Sequence, residues 1–164
     1  MWGAQAATRA VGATAEDGMS TPEPVIVGFL CNWCAYRAAD TAGVARVSCA
    51  PNLRPIQVMC SSRVEPEMVL KAFSEGADGV LIVGCHPGSC HYVDGNLKAL
   101  KRHALLSLLL EQLGIERERV QLVWAAASEG AALAAAIDRM TGQLRSLGPL
   151  QWPKAVLRRE GFCG

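Results

Sequence analysis

The sequence feature that most constrains the fold is a short apolar run at residues 79–84, in which Val, Leu, Ile and Val stand between two glycines. Four successive branched apolar residues leave no side for water, which is typical of a strand buried on both faces. Residues 25–30 form a second run of this kind. Because such strands occur in parallel sheets covered by helices on both faces, the two runs predict the central strands of an α/β domain.

The rest of the chain supplies two further strands and four helices. Pro66 suits the first turn of a helix, and Gly76, Gly114 and Gly148 stand where helices commonly end. The predicted strands are residues 25–30, 54–59, 79–84 and 119–124, and the predicted helices are residues 32–46, 65–75, 94–113 and 128–147. The third helix is predicted to be amphipathic from apolar residues at spacings of three and four: Leu97, Leu100, Ala104, Leu105, Leu108 and Leu109.

This alternation predicts a doubly wound α/β fold with a mostly parallel four-stranded sheet and helices on both faces. We expect the flavodoxin-like strand order 2-1-3-4, because the two most apolar strands should be central. A chain of 164 residues fits one such domain, which we place at residues 24–148. Residues 1–23 are expected to form a flexible leader, and residues 149–164 a tail that contacts a partner.

Charge and hydropathy exclude several classes of function. With 16 Lys and Arg against 15 Asp and Glu, the net charge of +1 gives no field that would attract nucleic acid. No apolar run approaches the roughly 20 residues of a membrane-spanning helix. Residues 1–23 lack the pattern of an export signal, so we expect a cytoplasmic protein.

Five of the seven cysteines stand at predicted strand ends or in the loops that follow them. Cys31 and Cys34 follow the first strand, Cys60 ends the second, Cys85 ends the third, and Cys90 lies in the next loop. In a parallel sheet all strands finish at one edge, so these thiols should gather there. Cytosolic thiols stay reduced, and a cysteine cluster in such a protein favours metal binding.

An iron–sulfur cluster fits this set. Cys31 and Cys34 form a Cys-x-x-Cys motif where a helix begins, and unpaired N–H groups there favour the thiolate form that iron binds. Four cysteines hold a 2Fe-2S or a 4Fe-4S cluster, so five candidates leave one over. Because ligands come from separate loops, structural zinc is less favoured, since zinc sites usually use closely spaced pairs.

Other interpretations stay open at this point. Cys31 and Cys34 alone are also typical of a thiol–disulfide oxidoreductase, and cysteines are common as small core residues. His86 and His91 each neighbour a cysteine and suggest a mixed Rieske-type cluster. Cys49 is expected to be a stray thiol, and Cys163 to be unrelated to the site.

Two features near the cysteines suggest an interface or only a solvated surface. Trp33, inside the Cys-x-x-Cys motif, is expected to cover the site, face a partner or cap the core. The third helix carries a basic face that suggests docking of an acidic redox partner. Its residues are Lys98, Lys101, Arg102 and His103.

Several separated motifs resemble the methyl-viologen-reducing hydrogenase delta subunit family. They are GFLCNWCAYRAAD at residues 28–40, VMCSSRV at residues 58–64, GVLIVGCHPGSCHY at residues 79–92 and AASEG at residues 126–130. The family's cysteine motifs fall on the five cysteines selected above.

This resemblance implies a subunit with one cluster, 2Fe-2S in preference to 4Fe-4S, held by four of Cys31, Cys34, Cys60, Cys85 and Cys90. It implies a subunit without catalysis of its own that relays electrons between a dehydrogenase or hydrogenase and the flavin-containing A subunit of a heterodisulfide reductase-like complex, to or from flavin-based bifurcation. The electron donor is expected to be a hydrogenase, a formate dehydrogenase or another dehydrogenase.

Overall fold

The computed structural model describes residues 22–151, so nearly all of the predicted leader, most of the predicted tail and Cys163 lie outside the described residues. Within this range all eight predicted elements are present, with ends shifted by a few residues. The strands are β1 (Ile26–Cys31), β2 (Leu53–Val58), β3 (Gly79–Gly84) and β4 (Val120–Trp124). The helices are α1 (Ala35–Val44), α2 (Pro66–Ser74), α3 (Gly95–Gln112) and α4 (Gly130–Leu147). Short 3₁₀ turns precede α2 and β4, at Ser61–Arg63 and Arg117–Arg119.

The four strands form one parallel sheet in the order β2-β1-β3-β4, which confirms the predicted order. Every residue of β3 is buried, and so are all but one of β1, whereas the edge strands β2 and β4 are largely exposed or half-buried. The two unbroken apolar runs are therefore the central strands, since only central strands are covered on both faces.

Two apolar layers, one on each face of the sheet, hold the helices. Leu30 and Leu81 pack with residues of α4 such as Met140 on one face. Phe29 and Ile82 pack with residues of α2 and α3 on the other face. The doubly wound α/β class is thereby confirmed.

Gly130 allows α4 to lie close against α1. A Cβ atom at this position would come within 2.6 Å of the Ala42 nitrogen and 2.8 Å of the Ala38 oxygen. Both are backbone atoms, which no side-chain rotation can move aside. The start of α4 therefore requires glycine, and this contact fixes the loop between β4 and α4.

The face that α3 buries differs from the predicted one. Leu97, Leu100, Leu105, Leu108 and Leu109, which predicted an amphipathic helix, are between 42% and 70% exposed. The helix instead buries the side that carries Asn96, Ala99, Leu106 and Leu110. The prediction is wrong because leucines occur nearly all round this helix, so their spacing does not distinguish the covered side from the open one. None of the helices in residues 22–151 is both long and apolar enough to cross a membrane.

Candidate metal centre

Three of the predicted site cysteines meet where β1 and β3 end. Cys31 is the last residue of β1, Cys34 precedes α1, and Cys85 follows β3. Their sulfur atoms lie within 4.8 Å of one another, and all three residues are buried. We call Cys31, Cys34 and Cys85 the sulfur triad. β1 and β3 are neighbours in the sheet while their following helices cover opposite faces, so the triad occupies the crevice at which such folds bind ligands.

The spacing of the triad suits a shared metal ion. The Cys31 and Cys85 sulfurs are 3.9 Å apart, and the cysteines of the described residues are free thiols. Two thiolates that bind one tetrahedral ion at about 2.3 Å stand about 3.8 Å apart. The donor set is therefore suited to a thiophilic ion such as iron or zinc.

The two remaining candidates are Cys60, which follows β2, and Cys90, in the loop between β3 and α3. Their sulfurs lie close to Gly95, the first residue of α3. A Cβ atom on Gly95 would come within 2.4 Å of the Cys60 sulfur and 3.2 Å of the Cys90 sulfur. Both sulfurs thus pack against the backbone of the same glycine. Cys90 also packs against the core cluster that contains the triad. The structure therefore brings Cys60 and Cys90 together beside the triad but not within it.

Hydrogen bonds make the three triad sulfurs electrostatically unequal. The Cys34 thiol donates to Cys31 and lowers its pKa to about 5, and the Trp33 and Cys34 N–H groups and the Cys85 thiol act in the same direction against burial. The Cys31 charge in turn raises the pKa of Cys34 through that shared hydrogen bond, and burial adds to the effect. Burial also raises the pKa of Cys85. The Trp33 and Cys34 N–H groups act on Cys31 in the direction expected of a helix start, although the larger cause is the Cys34 thiol.

Asn96 fixes the loop that carries Cys85. This buried side chain donates to the carbonyl of Cys85 over 3.2 Å and to that of His86 over 2.8 Å. Its oxygen accepts from the Leu97 N–H over 2.9 Å, so the amide is satisfied at both ends. Sequence reasoning missed this residue, because its role depends on how α3 sits against the end of β3.

Glu129 holds the same loop from the opposite side. Its Oε2 atom lies 2.7 Å from His86 Nε2 and accepts the Ala126 N–H over 2.7 Å. The Ala126 N–H and then His86 hold the pKa of Glu129 below its usual range, so the carboxylate is ionised. Ala126 and Glu129 both belong to the AASEG motif, which explains why that motif accompanies the cysteines.

Neither predicted histidine joins the sulfur triad. His86 is paired with Glu129, and His91 stacks on Trp33 with ring centroids 3.7 Å apart and planes 15° apart. Within residues 22–151, the one group of close ligand atoms contains the three cysteines and no histidine. This arrangement gives no support to a mixed Cys/His cluster. Cys49 is exposed in the loop between α1 and β2, away from the triad.

Trp33 joins the Cys-x-x-Cys loop to the loop after β3. Its indole N–H donates to the Tyr92 hydroxyl over 3.3 Å, and its ring stacks on His91. The ring is half-buried and packs against the core cluster that contains the triad. An aromatic layer therefore covers one side of the cysteine site.

Comparison with known proteins places this sequence in a family. Residues 26–148, which include every element of the sheet and all five site cysteines, match the family described as methyl-viologen-reducing hydrogenase, delta subunit. The chain belongs to that family. The resemblance seen in the sequence motifs is thereby confirmed.

The relatives of this chain differ in size. The iron-sulfur subunit of the vhc F420-non-reducing hydrogenase from Methanococcus voltae is 54% identical over 127 residues, covering 77% of this chain and 88% of its own length. The iron-sulfur subunit of an F420-non-reducing hydrogenase from Archaeoglobus profundus is 49% identical, covering 80% of this chain and 96% of its own. The A subunit of a CoB-CoM heterodisulfide reductase from Methanosarcina acetivorans is 42% identical over 77% of this chain but only 16% of its own length. The delta-subunit fold therefore occurs both in small hydrogenase subunits and within a larger redox protein.

Proposed function

We propose that this chain holds one iron–sulfur cluster and relays electrons within an oxidoreductase complex. Four of Cys31, Cys34, Cys60, Cys85 and Cys90 hold the cluster, with 2Fe-2S favoured over 4Fe-4S. Cys31, Cys34 and Cys85 are the core of this ligand set, and Cys60 or Cys90 completes it. When bound, such a cluster accepts and donates single electrons.

The observation that carries this proposal is the sulfur triad itself, three buried thiols from two separate loops within 4.8 Å. Burying charged sulfur is costly unless it is paired or coordinates a metal, and a metal centre would supply that partner for all three sulfurs at once. The N–H groups that point at Cys31 stabilise negative charge on sulfur, which also tunes the reduction potential of a bound cluster. The names of the two hydrogenase relatives as iron-sulfur subunits agree with this assignment.

We propose that the chain passes electrons to a flavin-containing heterodisulfide reductase A-type subunit that performs electron bifurcation. Support comes from the Methanosarcina relatives, in which a homologous segment forms part of the reductase's A subunit. The donor we propose is a hydrogenase, with a formate dehydrogenase or another dehydrogenase as alternatives, because several relatives are hydrogenase subunits.

We further propose that residues 24–148 form the cluster domain. A cytoplasmic location accords with the free buried thiols, since reducing compartments preserve them. These assignments predict that cluster content is unchanged when residues 1–21 are removed.

Purification of the full chain without oxygen tests the proposal. We expect a coloured protein that contains iron and acid-labile sulfide in equal amounts and bleaches on reduction. A colourless preparation without sulfide would exclude the cluster. One zinc ion per chain and no redox change would instead identify a zinc-stabilised assembly module.

A thiol–disulfide oxidoreductase is the second candidate, favoured by the low pKa of Cys31 in its Cys-x-x-Cys motif. Against it, Cys31 is 1% exposed and Cys34 is 6% exposed, so no substrate thiol reaches either sulfur in this conformation. Reactive cysteines of that class need solvent access. The same preparation separates the two, because the oxidoreductase would be colourless and would gain a reducible disulfide between these residues.

A further inference from the structure

Gly95 is a helical residue whose backbone conformation does not require glycine. It is the first residue of α3, and it is not among the glycines of residues 22–151 that have a positive φ angle. Alanine could therefore adopt the same backbone conformation, and alanine favours a helix more than glycine does. The absence of a side chain at residue 95 needs another reason.

The space that a side chain at residue 95 would need is filled by sulfur. A Cβ atom there would come within 2.4 Å of the Cys60 sulfur, 3.2 Å of the Cys90 sulfur and 3.4 Å of the Ser62 hydroxyl oxygen. Non-bonded heavy atoms lie about 3.5–4.0 Å apart at their optimum, so the contact with Cys60 would be a clash. The bare backbone of Gly95 therefore makes room for the Cys60 sulfur first and for the Cys90 sulfur second.

The residues on either side of Cys60 contact the two strands from which the sulfur triad extends. The carbonyl oxygen of Met59 lies 3.8 Å from the sulfur of Cys31, the last residue of β1. Ser61 is 1% exposed, and its hydroxyl oxygen would lie 2.8 Å from a Cβ atom on Gly84, the last residue of β3. These contacts fix the backbone of Cys60 beside the triad. The direction of its sulfur is then set by what the sulfur meets at the start of α3.

Open space lies next to the Cys60 sulfur. Cys60 and Gly95 both line a cleft of about 450 Å³, although Cys60 is only 4% exposed. Met59, on the wall of the same cleft, is 56% exposed. Rotation about one side-chain bond is enough to turn a cysteine sulfur from one staggered position to the next. A sulfur displaced from Gly95 can therefore turn into the cleft.

We propose that Gly95 is a positioning residue for the iron–sulfur site, because its bare backbone keeps the Cys60 sulfur beside the triad and out of the cleft. The inference rests on the proposed function, in which Cys60 or Cys90 completes the ligand set. Gly95 acts through Cys60, by leaving space for its sulfur. Groups that orient metal ligands typically change metal affinity by about 10–100-fold when they are replaced.

The test compares the full wild-type chain with Gly95→Ala, with Cys60→Ala and with the double variant. Gly142→Ala is the matched control, because Gly142 is also a helical glycine, in α4, but a Cβ atom there would meet nothing outside its own helix backbone within 4 Å among residues 22–151. Metal-free chains are treated with iodoacetamide, and peptide mass spectrometry gives the alkylation rate of each cysteine. Reconstitution with ferrous iron and sulfide without oxygen then gives the rate of iron release to a chelator, the visible spectrum and the reduction potential.

We expect Gly95→Ala to raise the alkylation rate of Cys60 several-fold and to leave the rates of the triad cysteines unchanged, because only the Cys60 sulfur enters the cleft. Reconstituted Gly95→Ala should release iron about ten-fold faster than wild type. The cluster that it retains should differ from wild type in visible spectrum and reduction potential, since these depend on how the ligands are held. The control variant should equal wild type in every reading.

Either the alkylation rate of Cys60 or the rate of iron release, if unchanged in Gly95→Ala, would overturn the proposal and leave the electron relay intact. Faster alkylation of all the buried cysteines would also overturn it, because it would show a general loosening of the fold. If Gly95→Ala does not fold, the double variant decides: a folded double variant supports the contact with the Cys60 sulfur, and an unfolded one contradicts it. A wild-type chain that takes up neither iron nor sulfide would overturn the proposed function, and this inference with it.

Discussion

Cys31 is the negative centre of the sulfur triad, and its two neighbours hold protons. Hydrogen bonds from the Cys34 thiol and from backbone N–H groups stabilise the Cys31 thiolate, while Cys34 and Cys85 have pKa values above the ordinary range. One charge shared by three close sulfurs avoids the repulsion that several thiolates would suffer in a buried site. A metal ion removes that constraint, because its positive charge stabilises all three thiolates.

Metal binding should therefore release protons. Near pH 7 the metal-free chain carries protons on Cys34 and Cys85, whose pKa values are raised, and none on Cys31, whose pKa is about 5. We expect at least about two protons to be released per Zn²⁺ bound, and affinity that falls as pH decreases. A pH indicator in weakly buffered protein measures the release. Release of less than about one proton would show that Cys34 and Cys85 are not both ligands.

Serine substitutions test the ligands directly. Cys31→Ser, Cys34→Ser and Cys85→Ser should each lower the iron content of the anaerobically purified chain by more than about half, because a hydroxyl is a poor ligand for iron in a thiolate site. Cys49→Ser is the matched control, since Cys49 is exposed and outside the triad. Iron content equal to wild type in Cys85→Ser would remove that residue from the ligand set.

The sequence predicted five cysteines at one edge of the sheet, of which three meet in the triad, but it did not predict what holds them. Convergence follows from topology, because Cys31 and Cys85 follow adjacent parallel strands and reach the same edge wherever the helices lie. Asn96 and Glu129 could not be found this way. Their contacts depend on how α3 and the β4–α4 loop pack against the end of β3, which local sequence does not encode.

At the scale of elements, the first turn of α3 supports the end of β3. Asn96→Ala would take the side-chain donor from the buried carbonyl of Cys85 and one of two donors from the carbonyl of His86, which also accepts the Ser89 N–H. We expect it to lower the free energy of unfolding by about 1–3 kcal/mol in urea titrations and to lower iron retention. Gln143→Ala is the control, because that amide is exposed and bonds to Gln121 at the surface. Its effect should be below about 0.5 kcal/mol. Equal effects of the two variants would contradict the supporting role of Asn96.

Arg119 connects the start of β4 to the rest of the domain. It is 1% exposed, pairs with Glu116 at 2.6 Å and donates to the carbonyls of Asp78 and Gly148, each over 3.1 Å. Arg119→Ala should lower the free energy of unfolding by about 3 kcal/mol, since it opens a cavity and takes the donor from the half-buried carbonyls of Asp78 and Gly148.

Arg117→Ala supplies the comparison for Arg119. Arg117 also pairs with a glutamate, Glu111, but both side chains are about half exposed. Water screens such a pair, so the change in unfolding free energy should be much smaller than for Arg119→Ala. Denaturant titration of the two variants side by side measures both values. A cost for Arg117→Ala as large as that for Arg119→Ala would show that burial is not what makes the Arg119 contacts strong.

Strands were easier to predict than helix orientation, for a physical reason. β1 and β3 are apolar at nearly every position, and only a central parallel strand meets that requirement. By contrast, α3 has leucines on both its buried and its open side, so periodicity predicted the helix but selected the wrong face. The exposed leucines on α3 thus represent surface that the domain itself does not cover.

For the molecule as a whole, the parallel sheet gathers five of the six cysteines in residues 22–151 at the edge where its strands end. The strands β1, β2 and β3 end beside the triad and beside Cys60 and Cys90, whose sulfurs pack against Gly95. A cleft of about 450 Å³, which Cys60 lines, lies at the same edge. This arrangement suits a module that presents one redox centre to neighbours. It also accounts for the occurrence of the same fold in small hydrogenase subunits and, as 16% of the length, in a much larger heterodisulfide reductase chain.

Iron binding by the sulfur triad can be measured directly. Crystals of the chain, purified and grown without oxygen, would provide anomalous diffraction on either side of the iron absorption edge. We predict an iron peak within bonding distance of the sulfurs of Cys31, Cys34 and Cys85, with the sulfur of Cys60 or Cys90 as the fourth ligand. A disulfide between Cys31 and Cys34, or a peak that appears only at the zinc edge, would contradict it.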